Sequence, residues 1–149
     1  MKKLIIHTDG SCNNKTQVGG WGAVIRMQDS TKSKRLCGGY TGTTNNQMEM
    51  LAVIHALEWV SKKGEFEIEL YSDSQYVIKG ITNWIYGWKR RGWKSSQESG
   101  EVKNKDLWIR LDQLKQKHLI TFNWVRGHAG DIFNEEADQL ANKGANYKG

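Results

Sequence analysis

The chain has 149 residues, no proline, two cysteines and a formal net charge of +6. That length fits one domain with its own core, and 38% hydrophobic with 26% charged residues is the composition of an ordinary globular protein. Cys12 and Cys37 have neither the density of a disulfide scaffold nor zinc-ligand spacing. No run approaches a membrane span, and the apolar stretch after Met1-Lys2-Lys3 is too short for a signal-peptide core. A cytoplasmic protein is the expectation. The basic balance suits a polyanionic partner, although many basic domains are simply kept soluble by it.

Leu4–Thr8 predicts a first strand, ended by the turn signal Asp9-Gly10-Ser11. In Gly19–Met27, Trp21, Ala23 and Ile25 alternate with Gly20, Gly22 and Val24, which predicts a second strand. Lys34–Thr41 predicts a third, and the short connections suggest an antiparallel meander. Thr44-Asn45-Asn46-Gln47 has capping-box form. Behind it Met50, Leu51, Val53, Ile54, Leu57 and Val60 recur at helical spacing, predicting a helix over 45–62. Phe66–Ser72 predicts a fourth strand. Asp73-Ser74 then caps a helix over 75–81, with 83–92 as a helical continuation and 93–103 as a polar loop. Asn104 is placed to cap a helix over 105–117, Leu119–Val125 predicts a fifth strand, and a terminal helix runs from Asn134 to about Asn146. The order β-β-β-α-β-α-α-β-α makes the later strands join in parallel through right-handed crossovers.

Asp9 and Asp73 each close a strand. If those strands are parallel neighbours, both carboxylates lie at one sheet edge, outside the carboxyl ends of strands where open α/β sheets bind ligands. Glu49, early in the long helix, reads most simply as a helix-dipole partner. Asp138, beside Ala137 and ahead of Leu140-Ala141, would be unremarkable as a solvent-facing acid. Clustered acids raise one another's pKa unless a cation enters, and an oxygen-only ligand set suits Mg²⁺, with Mn²⁺ as a substitute.

Five ordered blocks carry a resemblance. They are Thr8-Asp9-Gly10-Ser11-Cys12, Thr43-Thr44-Asn45-Asn46-Gln47-Met48-Glu49, Asp73-Ser74-Gln75-Tyr76-Val77, Trp124-Val125-Arg126-Gly127-His128-Ala129-Gly130, and Asn134-Glu135 with Ala137-Asp138 and Leu140-Ala141. Together they make the chain similar to type 1 ribonuclease H of the bacterial kind over nearly its whole length. The resemblance implies an α/β fold: a five-stranded mixed sheet of order 3-2-1-4-5, strands 1–3 antiparallel, flanked by helices. It implies that Asp9, Glu49, Asp73 and Asp138 are the catalytic carboxylates and hold two Mg²⁺ ions. It also implies that His128 assists proton transfer or the release of product and metal, and that Glu135 stands behind the ligands. On the same ground Asn45, Asn46 and Gln75 face the minor groove of an RNA–DNA hybrid, where amides suit base edges and the 2′-hydroxyl. Cys12, Asn14 and Thr44 also lie on the substrate side. The chain departs from the family's common pattern in Asn13–Gly20, where a Gly/Pro-rich turn is frequent, and at Asp131-Ile132-Phe133, where proline is frequent.

The segment from Trp84 to Lys94 sets Lys89, Arg90, Arg91 and Lys94 among Trp84, Trp88 and Trp93. Cations there neutralise phosphates and indoles pack on sugars, or the run is a solvated face on a tryptophan-packed subdomain. The family carries a basic protrusion here that grips the DNA strand. The expected activity is endonucleolytic hydrolysis of the RNA strand of a hybrid by a two-metal mechanism, leaving 5′-phosphate and 3′-hydroxyl ends, in a monomer with residues 1–149 as one catalytic domain. The alternatives are another nuclease of the same fold, resolvase- or integrase-like, and a non-catalytic hybrid-binding module. An ATP-binding relative of the fold is a third alternative, against which the sequence shows no phosphate-cradling glycine loop.

Overall fold

The structure is a computed structural model that describes residues 2–30, 32–95, 100–127 and 131–145. Its strands are β1 (Lys3–Cys12), β2 (Gly19–Met27), β3 (Ser33–Tyr40), β4 (Glu67–Ser72) and β5 (Leu119–Trp124). Its helices are α1 (Asn45–Ser61), α2 (Gln75–Lys79), α3 (Ile85–Arg90), α4 (Lys105–Lys115) and α5 (Ile132–Ala145). The strands form one sheet of order β3-β2-β1-β4-β5. β1–β2 and β2–β3 pair antiparallel, and β1–β4 and β4–β5 pair parallel. Among the described residues no helix is long and apolar enough to cross a membrane.

The side-chain period of two divides the sheet into two faces. Leu4, Ile6, Trp21, Ala23, Ile25, Ile68 and Leu70 face the core shared with α1, and nine residues of α1 are buried. α4 covers the outer side of that helix through Trp108, Leu111 and Leu114. The opposite face of β1–β3 is covered by α5, which approaches closely because both surfaces lack bulk. A Cβ on Gly22 would stand 2.5 Å from the Leu140 Cβ, and one on Gly20 would stand 2.0 Å from the Ala141 carbonyl oxygen.

Three local expectations are corrected. β1 does not stop before Asp9-Gly10-Ser11: Asp9 pairs with Gly22, Gly10 with Trp21 and Ser11 with Gly20. Gly10 is required by packing instead, since a Cβ there would lie 2.5 Å from the Glu49 backbone nitrogen. The helical stretch after Ser74 is continuous through Arg90, but Gly80–Trp84 is a π-helical turn. Gly80 sits beneath Trp108, whose ring a Cβ would meet at 2.0 Å. Finally, α5 begins at Ile132 rather than Asn134, because Asp131 Oδ1 accepts from the backbone N–H groups of Phe133 and Asn134.

Candidate active site

The parallel register of β1 and β4 ends at Thr8 beside Ser72, so the next residues, Asp9 and Asp73, emerge together at the carboxyl edge of the sheet. Asp73 is fixed on both sides. Ser72 Oγ accepts from the Ser74 N–H, Ser74 Oγ accepts from the Val77 N–H at the start of α2, and the Trp124 indole N–H donates to the Asp73 carbonyl at 3.0 Å. α1 enters over Gly10, which brings Glu49 to the same point. One carboxylate oxygen from each of Asp9, Glu49 and Asp73 lies within 4.8 Å of the others. α5 adds Asp138 from the other face of the sheet, where it lines the same cleft as Asp9 and Asp73. Its N-terminal end is held by the Arg26 guanidinium 4.3 Å over the Phe133 ring and by the Arg35–Glu136 ion pair at 2.7 Å. Thr8, Gly127, Asn134 and Glu135 complete the cleft around Asp9, Asp73 and Asp138.

This is an expensive cluster. Burial, the charge of Asp73 and the neighbouring Asp138 push the Asp9 carboxyl up to about 8, against a small opposing effect of the Gly10 backbone. Burial and the charges of Asp9 and Asp73 push Glu49 well above the usual carboxylate range, again opposed by the Gly10 backbone. Glu49 Oε1 and Asp73 Oδ1 are buried acceptors with no hydrogen-bond donor. Buried acceptors are normally satisfied, and two of them converging with a third carboxylate fit a divalent cation with hard, oxygen-rich coordination. Beneath the cleft His7 is buried between Tyr71 and Phe133, at ring separations of 5.0 and 5.5 Å, and burial holds it below the ordinary imidazole value.

The RNase H family model matches residues 1–146. The chain belongs to the ribonuclease H family. It is 51% identical over 142 residues to the ribonuclease HI of Caulobacter vibrioides, covering 95% of this chain and 92% of that one. It is 52% identical to the ribonuclease H of an Acidovorax species, covering 97% and 95%. Among solved structures, LC9-RNase H1, described as a type 1 RNase H with the type 2 active-site motif, superposes with a TM-score of 0.88 at 31% identity over 98% of this chain and 73% of that one. The protein is accordingly an enzyme, a ribonuclease H.

On this ribonuclease H the expected substrate-side residues lie on the elements that carry the carboxylates: the end of β1, the start of α1 and the start of α2. Thr44 is the N-cap of α1, its side chain accepting from the Gln47 N–H. The reciprocal arm of the capping box is missing, because the Gln47 side chain accepts from Thr43 Oγ1 and donates to Asn104 Oδ1. Asn104 is the N-cap residue of α4, as expected, but its side chain makes no capping hydrogen bond. It adopts a left-handed backbone, φ 61°, and donates from Nδ2 to the Tyr76 hydroxyl. Asn45 Oδ1 accepts from the Cys12 N–H at 2.6 Å, tying the end of β1 to the start of α1. Asn14, Asn46 and Gln75 are exposed. His128 lies outside the described residues.

The tryptophan-rich segment divides into packed and free parts. Trp84, Trp88, Trp108 and Tyr76 form a contiguous aromatic cluster with centroid separations of 5.3–6.0 Å. Trp93 is half-buried, with φ 64° in the sharp turn that follows α3. Lys89 is ion-paired with Asp112, and Arg91 Nε donates to the Lys94 carbonyl. Arg90 and Lys94 point to solvent. Trp124, Asn134 and Asp112 take places at or near the site for which residue pattern alone gives no role. The only signal for Asp112 is its place four residues after Trp108, on the apolar side of α4.

Proposed function

We propose that this ribonuclease H hydrolyses the RNA strand of RNA–DNA hybrids endonucleolytically. The observation that carries the reading is the meeting of Asp9, Glu49 and Asp73 with two donorless buried oxygens, on a chain of net charge +6. An acidic pocket in a basic protein suits a polyanion held over a cation.

Asp9, Glu49, Asp73 and Asp138 would hold two Mg²⁺ ions, or Mn²⁺ in their place. Bound there, the ions supply a nucleophile at neutral pH and charge stabilisation for the leaving oxygen. A water oxygen bonds to phosphorus, the P–O3′ bond of the RNA strand breaks, and a proton reaches the departing oxygen. The products are a 5′-phosphate and a 3′-hydroxyl. Asn45, Asn46 and Gln75 place amides where they would meet base edges and the 2′-hydroxyl. Cys12, Asn14 and Thr44 would line the same approach, and the segment from Trp84 to Lys94 would hold the DNA strand. Glu135, which lines the cleft with Asp138, would stand behind the ligands, and His128 would carry a proton during turnover or product release. The protein would act as a cytoplasmic monomer with residues 1–149 as one catalytic domain.

The test is cleavage of labelled RNA–DNA hybrid, duplex RNA and duplex DNA, with Mg²⁺ and with EDTA. The expected result is hybrid-selective, Mg²⁺-dependent cutting within the RNA strand. Equal cutting of duplex DNA, or full activity in EDTA, overturns the reading.

A further inference from the structure

The adjacent cations Lys89, Arg90 and Arg91 occupy different environments. α3 lies against α4 along Ile85, Trp88 and Lys89. Ile85 is fully buried and Trp88 packs on Trp108 at 5.3 Å. Lys89 Nζ then reaches Asp112 Oδ2 at 3.1 Å and Oδ1 at 3.4 Å. The Asp112 side chain is only 11% exposed, and Gln116 Nε2 donates to it at 3.0 Å. One turn further along α4, Lys115 Nζ donates to the Tyr86 hydroxyl at 2.7 Å and to the Ile81 carbonyl in the π-helical turn at 3.3 Å. Arg91 is folded back onto the Lys94 carbonyl. Arg90 is exposed and has no ion-pair or hydrogen-bond partner among the described residues.

A nearly buried carboxylate beneath a polyanion-binding surface is unfavourable for long-range attraction. It is accounted for if its work is internal. We propose that Asp112 is a positioning residue for hybrid binding: through Lys89 it clamps α3 to α4 and so aims Arg90 at the nucleic acid. Lys89 is therefore a fastener rather than a phosphate ligand. The inference rests on the reading that the Trp84–Lys94 segment meets the hybrid.

The sign of one substitution separates positioning from simple electrostatics. Asp112→Asn removes a negative charge and frees Lys89, so electrostatics alone predicts tighter binding. Positioning predicts a dissociation constant raised about three- to tenfold, the size of effect expected from losing one ordered but partly exposed ion pair. The measurement is fluorescence anisotropy of a labelled RNA–DNA hybrid in EDTA across a salt series, with thermal unfolding of each variant alongside. Lys89→Met should weaken binding by a similar factor and leave the slope of log K against log salt unchanged. Arg90→Met should shrink that slope by roughly 0.7–0.9, the share of one released counterion. Lys89→Met with Asp112→Asn should be no worse than either alone, since both remove one interaction. Tighter binding by Asp112→Asn, or equal slope losses for Lys89→Met and Arg90→Met, overturns the inference. If Asp112→Asn does not fold, the two slopes decide it. Cleavage by the unaltered protein reports separately on the function: no hybrid cutting alongside the expected slopes would sink the enzymatic reading and leave the role of Asp112 standing.

Discussion

At the residue scale the site is a set of acids that destabilise one another until a cation joins them. Asp9 holds its proton to about pH 8 in the folded protein, against an ordinary value of 3.8, chiefly because it is buried and then because Asp73 and Asp138 are close. Between those values Asp9 binds more proton in the folded state than in the unfolded chain, so its contribution to stability falls as pH rises across the window, outweighing the smaller opposite contribution of the buried His7. In EDTA the melting temperature should therefore be higher near pH 5 than near pH 8. Saturating Mg²⁺ should flatten the profile by replacing protons with metal charge. A melting temperature in EDTA that climbs from pH 5 to 8 would contradict this. Asp9→Asn removes the charge without removing the shape. It should raise the EDTA melting temperature at pH 8 by about 3 °C or more, if at least ~1 kcal/mol of repulsion is relieved. It should also slow cleavage by about two orders of magnitude or more while hybrid still binds. Asp73 was legible in the sequence because a strand end is a local signal; Asp9 was placed beside it for a partly wrong reason, since β1 runs on to Cys12 and only its pairing with β4 ends at Thr8. Glu49 and Asp138 were not legible from pattern alone. Their positions depend on how closely two helices approach the sheet, and only the family resemblance reached them. Asn104 stands at the N-cap of α4 as expected, but its side chain is used elsewhere for a related reason. It has the chemistry of a cap, but Gln47 and Tyr76 occupy its side chain, and tertiary partners outweigh a local preference.

At the element scale glycine carried two meanings that the sequence could not separate. Asp9-Gly10-Ser11 has the composition of a turn, yet β1 runs through it, because Gly10 is where α1 comes nearest the strand. Gly20 and Gly22 were read correctly as strand residues, but their use became visible only with α5 lying across them. That seating delivers Asp138, so a side chain there should move the site as well as the fold. Gly22→Ala would place a Cβ 2.6 Å from the Ala137 carbonyl oxygen, one residue before Asp138. We expect a loss of about 1–3 kcal/mol in denaturant unfolding, together with a higher Mg²⁺ concentration for half-maximal cleavage. Unchanged Mg²⁺ dependence in a destabilised variant would mean that α5 relaxes without shifting its acid. Gly80 is the control. Its clash is with the Trp108 ring, so Gly80→Ala should cost stability and hybrid affinity and leave the Mg²⁺ midpoint alone. The helical period in 75–92 was visible in the sequence. The π-helical turn was not, because its neighbours, Trp108 over Gly80 and Lys115 on the Ile81 carbonyl, come from a helix distant in sequence.

At the scale of the whole molecule two opposed fields share one surface. The chain carries 22 Lys and Arg against 16 Asp and Glu, yet several of those acids converge in the cleft where a phosphate would have to sit. A polyanion approaching without metal is attracted by the surface and repelled at the centre. Salt screens exposed charges within about 8–10 Å at physiological strength and reaches the buried cluster far less. The attractive part should therefore weaken with salt while the repulsive part persists. In EDTA, affinity for hybrid should fall steeply and linearly on log–log axes between roughly 50 and 200 mM salt. Adding Ca²⁺, a hard cation of larger radius, at constant ionic strength should restore part of it by neutralising the cleft. The same addition to Asp9→Asn should restore less, because that cleft has lost one charge already. If Ca²⁺ raises the affinity of both proteins equally, the cation is acting on the nucleic acid rather than on the carboxylates, and the central repulsion is not a determinant of binding.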